Sequence, residues 1–356
     1  MATIVMERIG HLFINLQQVR QVPRMLREAV PSMPGTLRDS EVPPFFRDKN
    51  IHAGYRPPDQ GWRYYFLSLF QRHNETVNVW THLLGALVVL TKSAELSETV
   101  DFAGDVHAWP LLILLISSFA YLAFSTVAHL LSARSEFHHH AFFFLDYVGV
   151  ALYQYGSAVV HFYYAVEKDF SWLPRGAFMP VAAALGWLSC LGCCYGKYHD
   201  RRLHPWVRKV GQVVPCALAY AWDTSPVFHR IYSCLPSCGR DPAVPFHCGQ
   251  VAFFLSSSFF FTQPLPECCF PGRCDFLGQS HQLFHVLLAL CTLSQIHASH
   301  LDYLGRRPLY TQLHGDGQGP VFFMGLFVAL GLATALTALY MTWKVSRQIG
   351  QRDKVK

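Results

Sequence analysis

The sequence has few charged residues. Only 15% of its 356 residues are Asp, Glu, Lys or Arg, whereas 51% are hydrophobic. The hydrophobic residues stand in long uninterrupted blocks rather than in the spaced pattern of a soluble core, which argues against a soluble protein and predicts an all-α membrane protein. Because only short polar loops separate the blocks, a single helical bundle is favoured over two separate domains.

The first residues also lack the features of a cleaved signal peptide. The segment MATIVMERIGHLFINLQQVRQV has neither a long apolar core nor a small-residue cleavage site. We therefore expect membrane insertion to depend on the first true span. Arg20, Arg24 and Arg27 interrupt the apolar residues of Ile4 to Leu26, which is typical of a helix on anionic lipid or of a solvated helix, and we favour the second interpretation.

Eight hydrophobic stretches are close to the roughly twenty residues that a membrane-spanning helix requires. The predicted spans are Val77 to Thr91, Trp109 to Leu131, Ala141 to Val166, Gly176 to Tyr195, Gly211 to Tyr232, Val244 to Thr262, Gln279 to Leu301 and Pro320 to Thr342. The sequence thus predicts a polar arm over residues 1–75, a transmembrane domain over residues 76–343 and a basic tail over residues 344–356.

The distribution of Lys and Arg predicts the orientation in the membrane. A cytosolic N-terminus places most of the 29 basic residues on the cytosolic side, as the positive-inside rule requires. Eight spans then place the C-terminus in the cytosol as well. The net charge of +6 suits the anionic inner leaflet and gives no reason to expect a nucleic-acid partner.

The 11 cysteines do not predict a disulfide framework, because most lie in spans or on the cytosolic side, where thiols stay reduced. The outer loop holds Cys234, Cys238 and Cys248, where the sequence allows one disulfide. The motif CLGCC, with Cys190, Cys193 and Cys194, has no second pair of metal ligands. We interpret these three as small buried side chains.

Ionisable side chains within the spans are the clearest functional signal, because they are costly in a membrane unless they are paired or bound. His129 ends the second span, Asp146 starts the third, and His281 and His285 start the seventh, all at the predicted cytosolic level. Three imidazoles and a carboxylate form a standard Zn²⁺ donor set, in which Asp146 is a ligand or orients a metal-bound water. The alternative is a polar cluster that only joins neighbouring helices.

Further polar residues lie at helical intervals around this set, so that they share a face with it or with one another. They are Ser125, four residues before His129; Glu75, Asn78 and His82 in the first span; and Tyr153, Ser157 and His161, which follow Asp146 in the third span. The first-span residues either support the metal or anchor a helix end at the membrane interface. The third-span face is predicted to line the bundle interior.

Two polar residues of the predicted fifth span have separate interpretations. Asp223 is expected to form a structural ion pair with His229 or Arg230. Gln212 is a neutral hydrogen-bonding group beside apolar surface, so it either fixes a ligand ketone or is a helix-end amide bonded to the backbone.

Taken together, these motifs resemble the progestin and adipoQ receptor family. HNETVNVWTHLLGAL, the Ser125 to His129 pair, LDYVGV with Asp146 and GQSHQLFH look like its successive signatures, over roughly Pro43 to Tyr340. The stretches AGYRPPDQGWRYYFLSLFQRHNE and DYVGVALYQYGSAVVHFYYA are similar to the membrane progestin receptor branch, and within it to the alpha group.

The resemblance implies a seven-helix, adiponectin-receptor-like bundle with an eighth C-terminal helix. It also implies zinc held by His129, His281 and His285, with Asp146 close to the metal-bound water. The implied function is a plasma-membrane receptor for progesterone-like steroids that signals rapidly without transcription, is linked to inhibitory G proteins and acts in oocyte maturation. Since no Asp/Glu-Arg-Tyr signature ends the third span, direct G-protein coupling is not expected.

The same residues also look like the set of alkaline ceramidases, which gives a second hypothesis, a zinc-dependent lipid amidase. Zinc would lower the pKa of its bound water, Asp146 would take the proton, and Ser125 would stabilise the oxyanion. A third hypothesis is a purely structural zinc that clamps three helices together.

Overall fold

Long helices make up most of the chain. The computed structural model describes residues 33–170, 175–199, 204–234, 241–315 and 319–354, so the predicted Ile4 to Leu26 helix lies outside the described residues. The α-helices are α1 (Trp62–Leu67), α2 (Thr76–Ser97), α3 (Trp109–Leu131), α4 (Glu136–Val160), α5 (Arg175–Tyr198), α6 (Pro205–Asp223), α7 (Ser225–Cys234), α8 (Val244–Thr262), α9 (Ser280–Gly305), α10 (Arg307–His314) and α11 (Gly319–Asp353). A π-helical turn, His161–Ala165, extends α4.

The only sheet in the described residues is a short antiparallel pair, β1 (Leu37–Arg38) with β2 (Ala53–Tyr55). The segment from Leu37 onward forms one compact unit that includes this pair and all the described helices. Arg56, just after β2, is buried and donates hydrogen bonds from its guanidinium to the backbone carbonyls of His129 and Leu130 at the end of α3. The end of α3 is thereby fixed to the segment before α2.

The predicted all-α membrane fold is confirmed, because seven of the eight predicted spans each correspond to one helix and the fifth to two. Four described helical segments, Val106–Arg134, Gly176–Tyr198, Val244–Thr262 and Val321–Asp353, are long and apolar enough to cross a membrane by length and composition. The helix α9 carries more polar residues, and several of them, such as His285, Thr292 and Gln295, are buried. The helix of the eighth predicted span, α11, packs on α4 and α5. Tyr155 of α4 donates a hydrogen bond to the Phe323 carbonyl of α11 (2.9 Å).

The sequence predicts one continuous fifth span, but the structure does not have one. The span is divided at Thr224 into α6 and α7. Pro226 has no N–H to donate to the carbonyl of Trp222, one turn earlier, so the α-helical ladder is interrupted there. The Ser225 hydroxyl donates to that carbonyl instead (2.7 Å).

The predicted ion pair of Asp223 is also wrong. Arg230 of α7 is fully buried and binds Asp302 of α9 and Asp241 in the segment before α8, both at 2.7 Å. His229 points toward Asp169 (3.8 Å). The guanidinium of Arg230 is therefore paired with Asp302 and Asp241 and does not pair with the Asp223 carboxyl.

The cysteines follow the predicted pattern where they are described. Cys190, Cys193 and Cys194 are buried free thiols in α5. Cys234 is disulfide-bonded, whereas Cys248 is a free thiol. Cys238 lies outside the described residues.

Candidate functional site

Three histidines from two helices meet with their ring nitrogens facing one another. His129 is in the last turn of α3, and His281 and His285 are in the first two turns of α9. The Nε2 atom of His281 lies 3.4 Å from that of His129 and 3.2 Å from that of His285. The three ligand atoms all lie within 4.8 Å of one another, which is the spacing that a single metal ion would bridge.

The start of α9 is fixed by side chains that satisfy its backbone. Gln282 Oε1 accepts hydrogen bonds from the N–H groups of Gly278 (2.8 Å) and Gln279 (3.3 Å), which is a capping-box arrangement. Glu267 accepts from the backbone N–H of Ser280 (2.8 Å), and its negative charge suits a helix N-terminus. These contacts position His281 and His285, which lie one turn apart on one face.

The Nδ1 atoms of His129 and His285, on the sides of the rings away from the cluster, contact α2 and the residue just before it. His129 Nδ1 lies 2.8 Å from Glu75 Oε2, and His285 Nδ1 lies 3.2 Å from the carbonyl of Asn78. Both partners are acceptors, so Nδ1 carries the proton and Nε2 presents a lone pair to the centre of the cluster. This is the arrangement that partners outside a metal's coordination shell impose on its histidine ligands. The residues therefore fit Zn²⁺.

Glu75 is itself held in place. The Asn78 side-chain amide donates to Glu75 Oε2 at 2.5 Å. Burial alone would raise the pKa of Glu75, but His129 beside it and the Asn78 amide lower that pKa well below its ordinary value. The carboxylate is therefore ionised at neutral pH and supports the proton on His129 Nδ1. His82, the third member of the first-span set, instead stacks on the His285 ring, with centroids 3.7 Å apart.

Asp146 and Ser125 line the space beside the three histidines. Asp146, near the middle of α4, is not in the group of mutually close ligand atoms. That position fits the water-mediated one of its two predicted roles. Ser125 is buried in α3, one turn before His129.

A cavity of about 400 Å³ extends from the histidines through the bundle. Ser125, Asp146 and His281 line one end, and His161, Asp223 and Gln250 line the other. Apolar side chains such as Phe254, Phe284 and Leu288 lie between them. Small-molecule sites occupy roughly 300–1,000 Å³ and combine apolar walls with a few polar groups, so this cavity has the size and lining of one.

Gln212 lines the same cavity. The sequence placed it at the start of a span, but α6 begins earlier, at Pro205, because His204 Nδ1 accepts from the Trp206 N–H (3.3 Å) and caps the helix. Gln212 therefore lies inside the helix, packed against Gly196 of α5, where a Cβ would stand 2.9 Å from Gln212 Cγ. No described residue hydrogen-bonds its amide, so the backbone-bonded alternative is not what the structure has.

The third-span face does line the interior, and it meets polar partners that sequence reasoning missed. Tyr153 and Ser157 both donate to Gln295 Oε1 of α9 (2.8 and 3.1 Å). Gln295 Nε2 lies 2.9 Å from His161 Nε2, and Tyr121 contacts Thr292 through their hydroxyls (2.7 Å). The signal was present in the seventh span, where Thr292 and Gln295 continue the intervals of three and four that begin at His281.

Comparison with known proteins gives the family. A family model described as haemolysin-III related matches residues 70–296. The chain belongs to the haemolysin-III related family. Residues 70–296 include His129, Asp146, Gln212, His281 and His285, so the whole cluster falls within the matched region.

Three similar proteins are each named as a membrane progestin receptor. The chain is 57% identical to membrane progestin receptor alpha-B of Danio rerio, over 99% of this chain and all of the relative. It is 49% identical to membrane progestin receptor alpha of Homo sapiens, over 98% of this chain and 99% of the relative. Membrane progestin receptor beta of Mus musculus is 46% identical, over 99% of this chain and all of the relative. The predicted resemblance to the alpha group of this branch is confirmed.

Proposed function

We propose that the chain is a plasma-membrane receptor that binds a progesterone-like steroid inside the helical bundle. The observation that carries the proposal is the cavity of about 400 Å³, apolar along its walls and polar at both ends, in a chain whose relatives are named as membrane progestin receptors. A sterol skeleton gains its binding free energy from burial of apolar surface, at about 25 cal/mol per Å². The few polar groups then select its oxygens.

Gln212 is the proposed partner of one steroid ketone. Its amide lines the cavity, is bonded to no described residue and can donate a hydrogen bond from its NH₂ group. Gln212 is half-buried, so a ligand oxygen that accepts from this amide adds the free energy of one hydrogen bond.

Zn²⁺ is the proposed cofactor, held by His129, His281 and His285. Bound there, zinc would tie α3 to α9 and polarise a water that Asp146 can orient. A zinc-dependent lipid amidase, with Ser125 and Asp146 as catalytic groups, would use the same end of the cavity. The receptor is favoured because the relatives carry receptor names.

The proposed orientation has both termini in the cytosol. The disulfide at Cys234, the last residue of α7, suits the oxidising outer side. The exposed free thiols of Cys268 and Cys269, between α8 and α9, suit the reducing cytosol. A receptor in this orientation would reach inhibitory G proteins indirectly and act without transcription, in a role such as oocyte maturation. Membrane lipid is the other expected partner.

The test is saturation binding of radiolabelled progesterone to the purified chain. Gln212→Ala should weaken binding by about fivefold to tenfold, the contribution of one hydrogen bond to this half-buried amide. Gln351→Ala, at an exposed position in the last turn of α11, is the matched control and should bind like the unmodified chain. Unchanged affinity in Gln212→Ala removes that residue from the site, and no progesterone binding by the unmodified chain overturns the receptor proposal.

A further inference from the structure

We propose that the Asp223 carboxyl forms a second hydrogen-bonding end of the cavity and binds an oxygen at the end of the ligand opposite to Gln212. The inference rests on the proposed function, since it names a further specificity-determining residue of the same site. The ligands that it selects are elongated, apolar molecules with a hydroxyl or ketone oxygen at each end.

The first observation is that this carboxyl is buried and lacks a partner. Asp223 ends α6, is 3% exposed and lines the cavity. Its Oδ1 atom has no hydrogen-bond partner among the described residues. Buried polar atoms in folded proteins are nearly always hydrogen-bonded, and an unpaired one costs free energy. A bound ligand that supplies the missing partner would remove that cost.

The second observation is that the nearby cations are bound elsewhere. Arg230 donates to Asp302 and Asp241 at 2.7 Å, and His229 points toward Asp169. His161 lies beside Asp223, but its Nδ1 atom contacts the Asp223 backbone carbonyl (3.0 Å) rather than the carboxyl. Asp223 lines the cavity, and none of Arg230, His229 and His161 contacts its carboxyl in the described part of the chain.

The third observation concerns the position of Asp223 relative to Gln212. The two residues are eleven positions apart in α6. At 3.6 residues per turn and a rise of 1.5 Å, they leave the helix within about 20° of one another and roughly 16 Å apart along its axis. Cys216 and Tyr220, between them, also line the cavity. One helix face therefore presents Gln212 and Asp223 about three turns apart, with the Cys216 thiol and the Tyr220 side chain between them.

The chemistry of the far end favours an uncharged oxygen. A carboxyl group accepts a hydrogen bond from a hydroxyl and, when it carries its proton, donates one to a ketone. The residue beside it in the cavity wall, Gln250, is neutral, and its amide is held by His247 (2.7 Å). Gln250 is thus already engaged, whereas the Oδ1 atom of Asp223 is not.

The experiment combines variants of the full chain with ligands that lack one oxygen. Affinities are measured for progesterone, for the analogue without the side-chain ketone and for the analogue without the ring ketone. Asp223→Leu should lower the affinity for progesterone about tenfold. It should leave unchanged the affinity for the analogue that lacks the ketone bound by Asp223. Asp223→Asn, which keeps a donor and an acceptor, should stay within about threefold of the unmodified chain.

Gln212→Ala should lower the affinity for progesterone and leave unchanged the affinity for the other analogue. The two results together show which ketone of the steroid lies at each end of the cavity. Asp223→Ser shortens the side chain but keeps a polar group, and it serves as the second loss variant should the leucine prevent folding. Equal loss for all three ligands, or no loss for any, overturns the role of Asp223 while leaving the receptor proposal standing. Failure of the unmodified chain to bind any of the three steroids overturns both.

Discussion

Glu75 Oε2 lies 2.8 Å from His129 Nδ1, and this contact determines which ring nitrogen of His129 faces His281. Glu75 is the residue just before α2 and is not one of the three clustered histidines. It therefore acts on the proposed metal only through His129. The contact joins the start of α2 to the end of α3 at the level of the candidate metal centre.

Replacing Glu75 should therefore weaken zinc binding without removing a ligand. Glu75→Ala leaves the His129 proton without its acceptor, and loss of such a partner lowers metal affinity by roughly 10-fold to 100-fold. The measurement is a chelator competition on the purified chain. Glu98→Ala, at an exposed position just after α2, is the control. Equal zinc affinity in the two variants would contradict the proposed support of His129 by Glu75.

Removing two histidines of the cluster tests the metal itself. We expect stoichiometric zinc in the purified chain and its loss in the His281→Ala/His285→Ala double variant, because one remaining imidazole cannot hold the ion. His297→Ala, at an exposed position on the same helix, should keep the metal. Metal analysis of all three samples decides the point, and no zinc in the unmodified chain would overturn the assignment.

The same samples separate the three functions that the histidines allow. Ceramide hydrolysis is measured with and without progesterone on the chain that retains zinc. We expect steroid binding without turnover, as for a receptor. Steroid-responsive turnover that disappears in the double variant would favour the amidase, and a lower yield of folded double variant without selective loss of binding would favour a structural clamp.

How much of this site the sequence predicts depends on whether the contacts are local. His281 with His285, and Ser125 with His129, lie one turn apart, so their shared faces follow from helical spacing alone. The partner of Arg230 does not, because Asp302 is 72 positions away on another helix and only the packing of α7 against α9 brings them together. The unpaired Asp223 could not be predicted for the same reason.

His73 makes the stability of the segment before α2 sensitive to acid. Its Nδ1 atom accepts from the Glu75 N–H (3.1 Å), and its Nε2 atom donates to the Ser68 carbonyl (3.1 Å). Burial lowers the pKa of His73 from 6.5 to about 3. The unfolded chain therefore binds this proton at a higher pH than the folded chain does. The stabilisation is complete above pH 6.5 and is lost as the pH falls from there toward 3.

Between pH 7 and pH 5 this one group should cost about 2 kcal/mol of stability. Thermal unfolding of the chain in detergent, followed at both pH values, measures the change. His73→Gln should show a smaller loss between the two, whereas His297→Gln, at an exposed position in α9, should behave like the unmodified chain. An equal pH dependence in all three samples would show that His73 does not carry the effect.

Two ion pairs in the chain allow a matched test of burial. Arg230 and Asp302 are both 2% exposed at the side chain, with 2.7 Å between Nη1 and Oδ2. Arg307 and Asp105 lie at a similar 2.8 Å, but Arg307 is 58% exposed. Removing one member of a buried pair strands the other charge and costs about 3–5 kcal/mol, whereas an exposed pair contributes about 0–1 kcal/mol.

Arg230→Met should therefore lower the unfolding temperature far more than Arg307→Met, although each substitution removes one guanidinium. Thermal unfolding of the two variants under identical conditions measures the difference. Asp302→Asn should also be costly, because it weakens the contacts of Arg230 and of His247, which lies 2.8 Å from the same carboxylate oxygen. Equal effects of the two arginine variants would mean that the buried Arg230–Asp302 pair does not stabilise the packing of α7 against α9.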